Sequence, residues 1–202
     1  MILAIALVAA LVAALLRGGR LQALALAPFQ WGRLAVASFA LQTLFIYRSP
    51  YVKDGKGWGW LEIAFVGSHL LLLGVVWANR HSPGMRWIGL GLLLNTAALV
   101  ANGGWMPVSP EAVSAVGYAH LVPDVVSGLR FPQSKNIVLA IEETNLPFLS
   151  DVFVLHRPFP FPSVFSPGDI LVAVGAFMWV QTATGAQQRR TVSIEYDGGA
   201  VK

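Results

Sequence analysis

The sequence predicts an all-α membrane protein with about five transmembrane helices and an outer lid of short helices and irregular Pro- and Phe-rich segments. Of its 202 residues, 55% are hydrophobic and only 12% are charged, whereas soluble domains carry roughly 25% charged residues. The apolar residues are grouped in long runs, which is typical of membrane-spanning helices. All seven tryptophans fall at or near the ends of these runs, where the indole ring is at once in an apolar environment and near a polar partner.

Five apolar stretches are long enough, or nearly so, to cross about 30 Å of hydrocarbon at about 1.5 Å per residue. They cover residues 1–16, 30–47, 60–78, 86–101 and 168–184. We expect them to belong to one polytopic domain that takes in the whole chain, 1–202. The first stretch carries no charged side chain and is followed by Arg17 and Arg20. A cleaved signal peptide carries its positive charge before the apolar core, so we expect a retained first helix.

The basic side chains predict the orientation. If the N terminus lies outside, the short inner loops and tails carry eight Lys and Arg residues, and the short outer ones carry three. Cytoplasmic segments of membrane proteins carry the excess of positive charge. We therefore expect a multi-pass protein in a cytoplasmic membrane, with the C terminus inside and residues 102–167 outside. The bilayer itself is the first expected partner.

Residues 102–167 are expected to form a folded lid, because a structureless connection of this length is unusual in a compact protein. The run SPEAVSAVGYAHL predicts a short helix, with Ser109 as its N-cap and Pro110 at its first position. A second helical piece is expected in KNIVLAIEE. The segment HRPFPFPSVFSPGD is too rich in proline for regular structure. Five phenylalanines between residues 148 and 165 are expected to pack on the helices or on the membrane surface.

Three polar side chains are predicted inside the membrane: Glu62, His69 and Asn95. Glu62 and His69 lie seven residues apart and so share one helix face, as do Asn95 and Asn102. Because the two spans are antiparallel, Glu62 is expected at the depth of Asn102, and His69 at the depth of Asn95. Ionisable residues in spans are functional candidates by default. Polar groups there also join helices through hydrogen bonds of about 0.6–2 kcal/mol, so both interpretations stay open.

Three outer motifs gather the polar residues best suited to bind a ligand. In NGGWMP, two glycines let another group approach the backbone closely. In PFLSDVF, Asp151 lies in an apolar run, where burial raises a carboxyl pKa unless a partner is present. In FSPGDILVAVG, Ser166 and Asp169 form a predicted capping box, and the alternative is a polar pocket shared with Lys135. The candidate ligand-binding residues are Asn102, Gly103, Gly104, Trp105, Lys135, Asn136, Asp151 and Asp169.

The candidate catalytic residues are Asp151, Asp169, His120 and His156, as an acid and a base at one pocket. The four histidines show no HxH or HxxxH spacing and the chain has no cysteine, so no metal site is expected. The sequence contains no phosphate-binding loop, dinucleotide fingerprint or nucleophile elbow, and it indicates no cofactor. Without a basic patch interleaved with aromatics, no nucleic-acid partner is expected.

The stretches MILAIALVAAL, NGGWMPV, TNLPFLSD and SPGDILVAVG together resemble an uncharacterised bacterial integral-membrane family, a domain of unknown function. The resemblance covers essentially the whole chain. It implies a five-span protein of the bacterial membrane with these outer motifs as its hallmark, and it implies no activity.

Three hypotheses of function follow. The first is a membrane protein that binds a lipid headgroup, a small ligand or a partner subunit at its outer face. The second is a membrane-embedded enzyme that acts on a lipid-linked substrate at that face. This hypothesis gains support if Asp151, Asp169 and either Lys135 or a histidine converge around an open cavity. The third is a small transporter, which the lack of an inverted repeat makes weaker.

Overall fold

A computed structural model describes residues 2–48, 57–117, 127–131 and 133–185 of the chain, and this part is mostly helical. The elements are α1 (Ile2–Leu16), α2 (Leu21–Leu26), α3 (Gly32–Arg48), α4 (Trp60–Ala78), α5 (Met85–Ala101), β1 (Met106–Val108), α6 (Pro110–Ala115), β2 (Asn136–Val138), β3 (Phe153–Leu155), β4 (Ser163–Phe165) and α7 (Pro167–Ala183). Two 3-10 turns, Ile141–Glu143 and Pro147–Leu149, lie between β2 and β3.

A helix occupies each of the five apolar stretches, and its ends lie within two residues of the predicted ones. Among the helices in the described ranges, however, only α4 is both long and apolar enough to cross a membrane, judged by length and composition. α1 and α5 are shorter apolar helices. Helix length therefore does not support the predicted number of five spans.

α5 and α7 pack against each other through glycines. A Cβ atom at Gly175 would lie 2.5 Å from the carbonyl oxygen of Gly84, and one at Gly168 would lie 2.7 Å from that of Gly91. Glycine alone permits helix backbones to approach this closely. Gly84 contacts Gly175 and Gly91 contacts Gly168. The residue numbers increase along one helix and decrease along the other, so α5 and α7 are antiparallel.

These contacts also fix where α7 begins. Gly168, the second residue of α7, faces Gly91 and Asn95. Ala101, the last residue of α5, lies six residues beyond Asn95. At about 1.5 Å per residue, α7 therefore begins roughly 9 Å short of the end of α5. The lid fills this gap, because the turn Pro147–Leu149 contacts both helices.

The remaining helices extend the bundle on either side of this pair. α3 packs on α4, α4 on α5, and α1 on α7. Ala10 and Ala14 of α1 are buried against Val180 of α7. Asn79, at the end of α4, donates from Nδ2 to the carbonyl oxygen of Gln30 at 2.9 Å and accepts from the Gln30 N–H at 2.8 Å. The start of α3 is thereby held beside the end of α4.

The lid is not built of helices and irregular segments alone, so the prediction of an all-α chain is wrong there. β1 pairs in parallel with β2, and β3 pairs antiparallel with β4. The helix predicted in SPEAVSAVGYAHL is confirmed over Pro110–Ala115 as α6, where Ser109 Oγ accepts from the Ala112 N–H at 3.2 Å, and the final YAHL lies outside the described residues. The helix expected in KNIVLAIEE is wrong over Asn136–Val138, where β2 hydrogen-bonds to β1, and only Ile141–Glu143 at its end form a 3-10 turn. The expectation that the Pro-rich segment has no regular structure is wrong for β4, since three of its prolines precede the strand, Pro167 follows it, and Ser163–Phe165 are free to pair.

We expect Gly175→Ala to lower the free energy of unfolding by about 1–3 kcal/mol, the usual cost of overpacking. The new methyl group would lie 2.5 Å from the Gly84 carbonyl oxygen and 2.7 Å from Ile88. Gly67→Ala on α4 is the matched control, since no heavy atom of a neighbouring described segment lies within 4 Å of its Cβ position. Thermal unfolding in detergent checks both variants, and an unchanged Gly175→Ala protein would contradict the close helix contact.

Candidate functional site

Four chain segments bring their polar side chains together beside the start of α7. We call this group the recessed cluster, and its members are Asn95, Lys135, Asn136, Asp151, Ser166 and Asp169. At its centre, the Nζ of Lys135 lies 3.4 Å from Asp151 Oδ1 and 3.5 Å from Asp169 Oδ2. Lys135 and the two aspartates, whose convergence is part of the test of the enzyme hypothesis, therefore lie within reach of one another.

Asp169 has two roles in this cluster. The predicted capping box is confirmed: the Asp169 N–H donates to Ser166 Oγ at 3.0 Å, and the Ser166 N–H donates to Asp169 Oδ2 at 3.3 Å. Asn95 on α5 also donates from Nδ2 to Asp169 Oδ1 at 2.9 Å, and its Oδ1 accepts from Ser166 Oγ at 2.8 Å. Asp169 thus begins the helix and also joins it to α5 and to Lys135.

Asp151 is the most deeply buried acid of the cluster, with 2% of its surface exposed. Asn136 donates from Nδ2 to Asp151 Oδ2 at 2.7 Å, and the Asp151 N–H donates to the carbonyl oxygen of Pro107 at 3.1 Å. Burial raises the pKa of Asp151 above its usual range by more than the attraction of Lys135 lowers it. The nearby carboxylate of Asp169 adds to this rise.

Lys135 supplies the positive charge that both carboxylates need. Burial alone would lower the pKa of Lys135, but Asp151 and Asp169 outweigh that effect and raise it. The amine is therefore held as an ammonium ion, which is a poor nucleophile. The Lys135 side chain is 29% exposed and is therefore more accessible than the carboxylate of either Asp151 or Asp169.

A second buried ion pair joins the lid to α4. Arg130 Nη1 lies 2.6 Å from Glu62 Oε1, and Trp105 Nε1 donates to the same oxygen at 3.0 Å. The guanidinium carbon of Arg130 also lies 4.4 Å from the centre of the Trp105 ring. Sequence reasoning missed Arg130. Its position between two apolar residues in GLRFP is the pattern that indicates a buried charge.

Gly104 owes its identity to this contact, and Gly103 owes its identity to its backbone conformation. Both have positive φ, +70° and +89°, which favours glycine. A Cβ atom at Gly104 would lie 2.6 Å from the Cβ of Glu62. One at Gly103 would lie 3.4 Å from the backbone nitrogen of Gly57. The glycines of NGGWMP let the chain pass directly over the start of α4.

The polar span residues find their hydrogen-bond partners outside the pairs that were matched by depth. Glu62 contacts the lid, while Asn102 exchanges two hydrogen bonds with the backbone of Asn145, at 2.8 and 2.9 Å. The Nδ1 of His69 lies 3.0 Å from the carbonyl oxygen of Phe65 and 3.4 Å from Gln42 Nε2. Asn95 has other partners because α7 begins beside it and not at the end of α5. Ser166 and Asp169 therefore take the hydrogen bonds of Asn95.

Of the two histidines named as catalytic candidates, His156 does not join the recessed cluster. His120 lies outside the described residues. His156 is exposed directly after β3. Within the described ranges, no three His, Cys, Asp or Glu side chains gather as a metal site requires.

The recessed cluster is closely satisfied by its own donors. Asp151 accepts from Asn136 and Lys135, and Asp169 accepts from Asn95, Lys135 and the Ser166 N–H. Each of the four carboxylate oxygens therefore has a donor, and acid–base chemistry would have to break one of these bonds. This arrangement suits positioning of the lid better than catalysis.

A small apolar crevice lies at the lid end of α3 and α4. Its walls are formed by Phe45, Ile46, Leu61, Phe65 and Trp105. Trp105 also hydrogen-bonds to Glu62, so one wall of the crevice is fixed by the ion pair that joins the lid to α4. The crevice offers an apolar volume beside fixed polar groups, which is the general composition of a ligand site.

We expect Lys135→Met to lower the free energy of unfolding at neutral pH by on the order of 2 kcal/mol. This is less than the roughly 3–5 kcal/mol lost when a fully buried ion pair is broken, because Lys135 is partly exposed. Without the ammonium, the pKa of Asp151 rises further above its unfolded value. The native state then binds more protons than the unfolded state, so stability rises as pH falls. The deficit should shrink between pH 7 and pH ~4. Thermal unfolding across this range checks it, with exposed Arg157→Met as the control, and a pH-independent deficit would contradict it.

The family match covers the recessed cluster and the apolar crevice. Over residues 26–181, which hold all of α3 to α6 and most of α7, the chain matches a family of unknown function, DUF5317. Over 152 residues it is 25% identical to an uncharacterized protein of Thermotoga maritima, a match that covers 71% of this chain and 77% of that protein. No solved structure matches the chain. Since the family match takes in more than half of the sequence, the chain belongs to the DUF5317 family.

Proposed function

We propose that this protein is a multi-pass protein of the bacterial cytoplasmic membrane that binds a lipid at the lid end of its helices. Large apolar side chains on the outward faces of the helices support the membrane location. Leu70 of α4 is 57% exposed, and Val36 and Phe39 of α3 are 71% and 67% exposed. Such continuous apolar surface is unusual on a soluble monomer and suits contact with lipid.

Five spans require the bilayer to adapt to helices that are shorter than its hydrocarbon core. A helix of 17 residues, such as α3 or α7, is roughly 26 Å long, a few ångströms below the hydrocarbon thickness. Local thinning and flanking side chains accommodate a mismatch of this size at modest cost. The excess of basic residues in the inner segments favours an outer N terminus, an outer lid and a cytoplasmic C terminus.

The apolar crevice is the observation that carries the lipid proposal. The crevice is small and is lined only by apolar and aromatic side chains, so it is not a site that encloses a whole small molecule. It therefore suits part of a long molecule, such as a segment of an acyl or isoprenoid chain. Phe45 and Leu61 place it between α3 and α4, whose exposed faces would meet lipid, so a chain could enter sideways from the outer leaflet.

An enzyme acting on a lipid-linked substrate is the second candidate, because Lys135, Asp151 and Asp169 do converge. The crevice is lined by a different set of residues, and the carboxylates already have donors. These two observations favour binding over catalysis. If Asp151→Asn retains full cellular function at normal protein levels, Asp151 has no catalytic role.

We expect Leu61→Trp to fill the crevice and reduce the amount of co-purifying lipid by about tenfold, the effect of losing about 1.4 kcal/mol of binding free energy. Leu70→Trp is the matched control, because it makes the same change on the same helix at an exposed position. The protein is purified in a mild detergent, and bound lipids and proteins are identified by mass spectrometry. Equal lipid content in the two variants, or a protein subunit in place of lipid, would contradict the proposal.

A further inference from the structure

We propose that the lid segment 146–153 inserts into the outer leaflet, so that the recessed cluster lies at hydrocarbon depth behind it. This inference rests on the proposed membrane location and adds to it that part of the lid is a lipid-facing element. The expected ligand of this surface is the acyl region of the outer leaflet.

The stagger of α5 and α7 gives the depth. Gly168 and Asp169 contact Asn95, and Asn95 lies roughly 9 Å below the end of α5 at the helical rise per residue. Over that last part of α5, the turn Pro147–Leu149 takes the place that α7 leaves empty. If α5 reaches the outer membrane surface, this turn lies within the leaflet and not above it.

The exposed side chains of the segment match such a location. Phe148 is 65% exposed, Val152 47% and Phe153 42%. The turn also contacts α7, whose own exposed stripe contains Ile170 and Val174, four residues apart on one face. The apolar surface of the helices therefore continues onto the lid instead of ending where α7 begins.

The backbone of the segment is prepared for an apolar environment. Lipid-exposed irregular backbone is costly because its polar groups lack water. Here the amide of Asn145 donates to Asn102 Oδ1 at 2.9 Å, and that of Leu149 donates to the Leu146 carbonyl oxygen at 2.9 Å. The amide of Ser150 donates to the carbonyl oxygen of Pro147, and Pro147 itself has no N–H. These amides of the irregular segment therefore have partners within the protein.

Charged residues mark where the segment leaves the leaflet. Glu142 and Glu143 are exposed in the preceding 3-10 turn, and carboxylates of this kind require water or the headgroup region. The boundary then falls between Glu143 and Leu146. The exposed charged residues, Glu142 and Glu143, then lie before this boundary, and the exposed apolar residues of the segment lie after it.

The chain has no cysteine, so single cysteines can carry a nitroxide label. Phe148→Cys and Val152→Cys report on the segment, Val174→Cys on α7, and Glu142→Cys on the water side. In vesicles of phosphatidylethanolamine and phosphatidylglycerol, the accessibility of each label to oxygen and to a soluble nickel chelate is measured. We expect the oxygen-to-nickel ratio at 148 and 152 to be several-fold above that at 142 and similar to that at 174.

The outcomes separate the two proposals. If the label at 174 is in hydrocarbon while those at 148 and 152 match 142, the inserted segment is wrong and the membrane location stands. If the label at 174 is itself water-accessible, the membrane location is wrong. Two reporter positions protect the test from a single variant that disturbs the lid.

Discussion

The ammonium of Lys135 lies between a carboxylate of the lid, Asp151, and the carboxylate that begins α7, Asp169. These acids are buried, and a buried charge is tolerated only where a charge of opposite sign and further donors compensate it. The lid must therefore lie against the helices in one position to keep the three charges together. Asn136 and Asn95 supply the remaining donors from the lid and from α5, so the same constraint sets the relative positions of four chain segments.

Glycine makes this arrangement possible. A Cβ atom at Gly168 would collide with Oδ1 of Asn95, which accepts a hydrogen bond from Ser166. The motif SPGDILVAVG thus combines a helix cap, a cluster carboxylate and two close helix contacts at Gly168 and Gly175. Gly104 has the same relation to the second ion pair, because its missing side chain leaves room for Glu62 beside Trp105. The glycines of SPGDILVAVG and NGGWMP therefore leave the space in which the buried charged residues pack.

Local patterns predicted the helices and their starts well. Apolar runs, Ser109-Pro110 and Ser166 with Asp169 act within one turn of backbone, so they can be interpreted without knowing the tertiary structure. The convergence of Lys135 with Asp169 could be suggested, but its geometry depends on the α5–α7 stagger, which Gly91 and Gly168 reveal only once they are paired. Arg130 and the pair of β1 with β2 were missed because they depend on partners more than 20 residues away, Glu62 for Arg130 and β1 for β2.

Hydrogen–deuterium exchange of wild type and Lys135→Met, measured peptide by peptide in detergent, tests most directly whether this charge cluster holds the lid on the helices. We expect the peptides that cover residues 136–155 to lose protection, because Asp151 would lose its positive partner. Those of α4 should keep theirs, since the Glu62–Arg130 pair is untouched. Unchanged protection in the lid of a folded Lys135→Met protein would contradict the central role of Lys135.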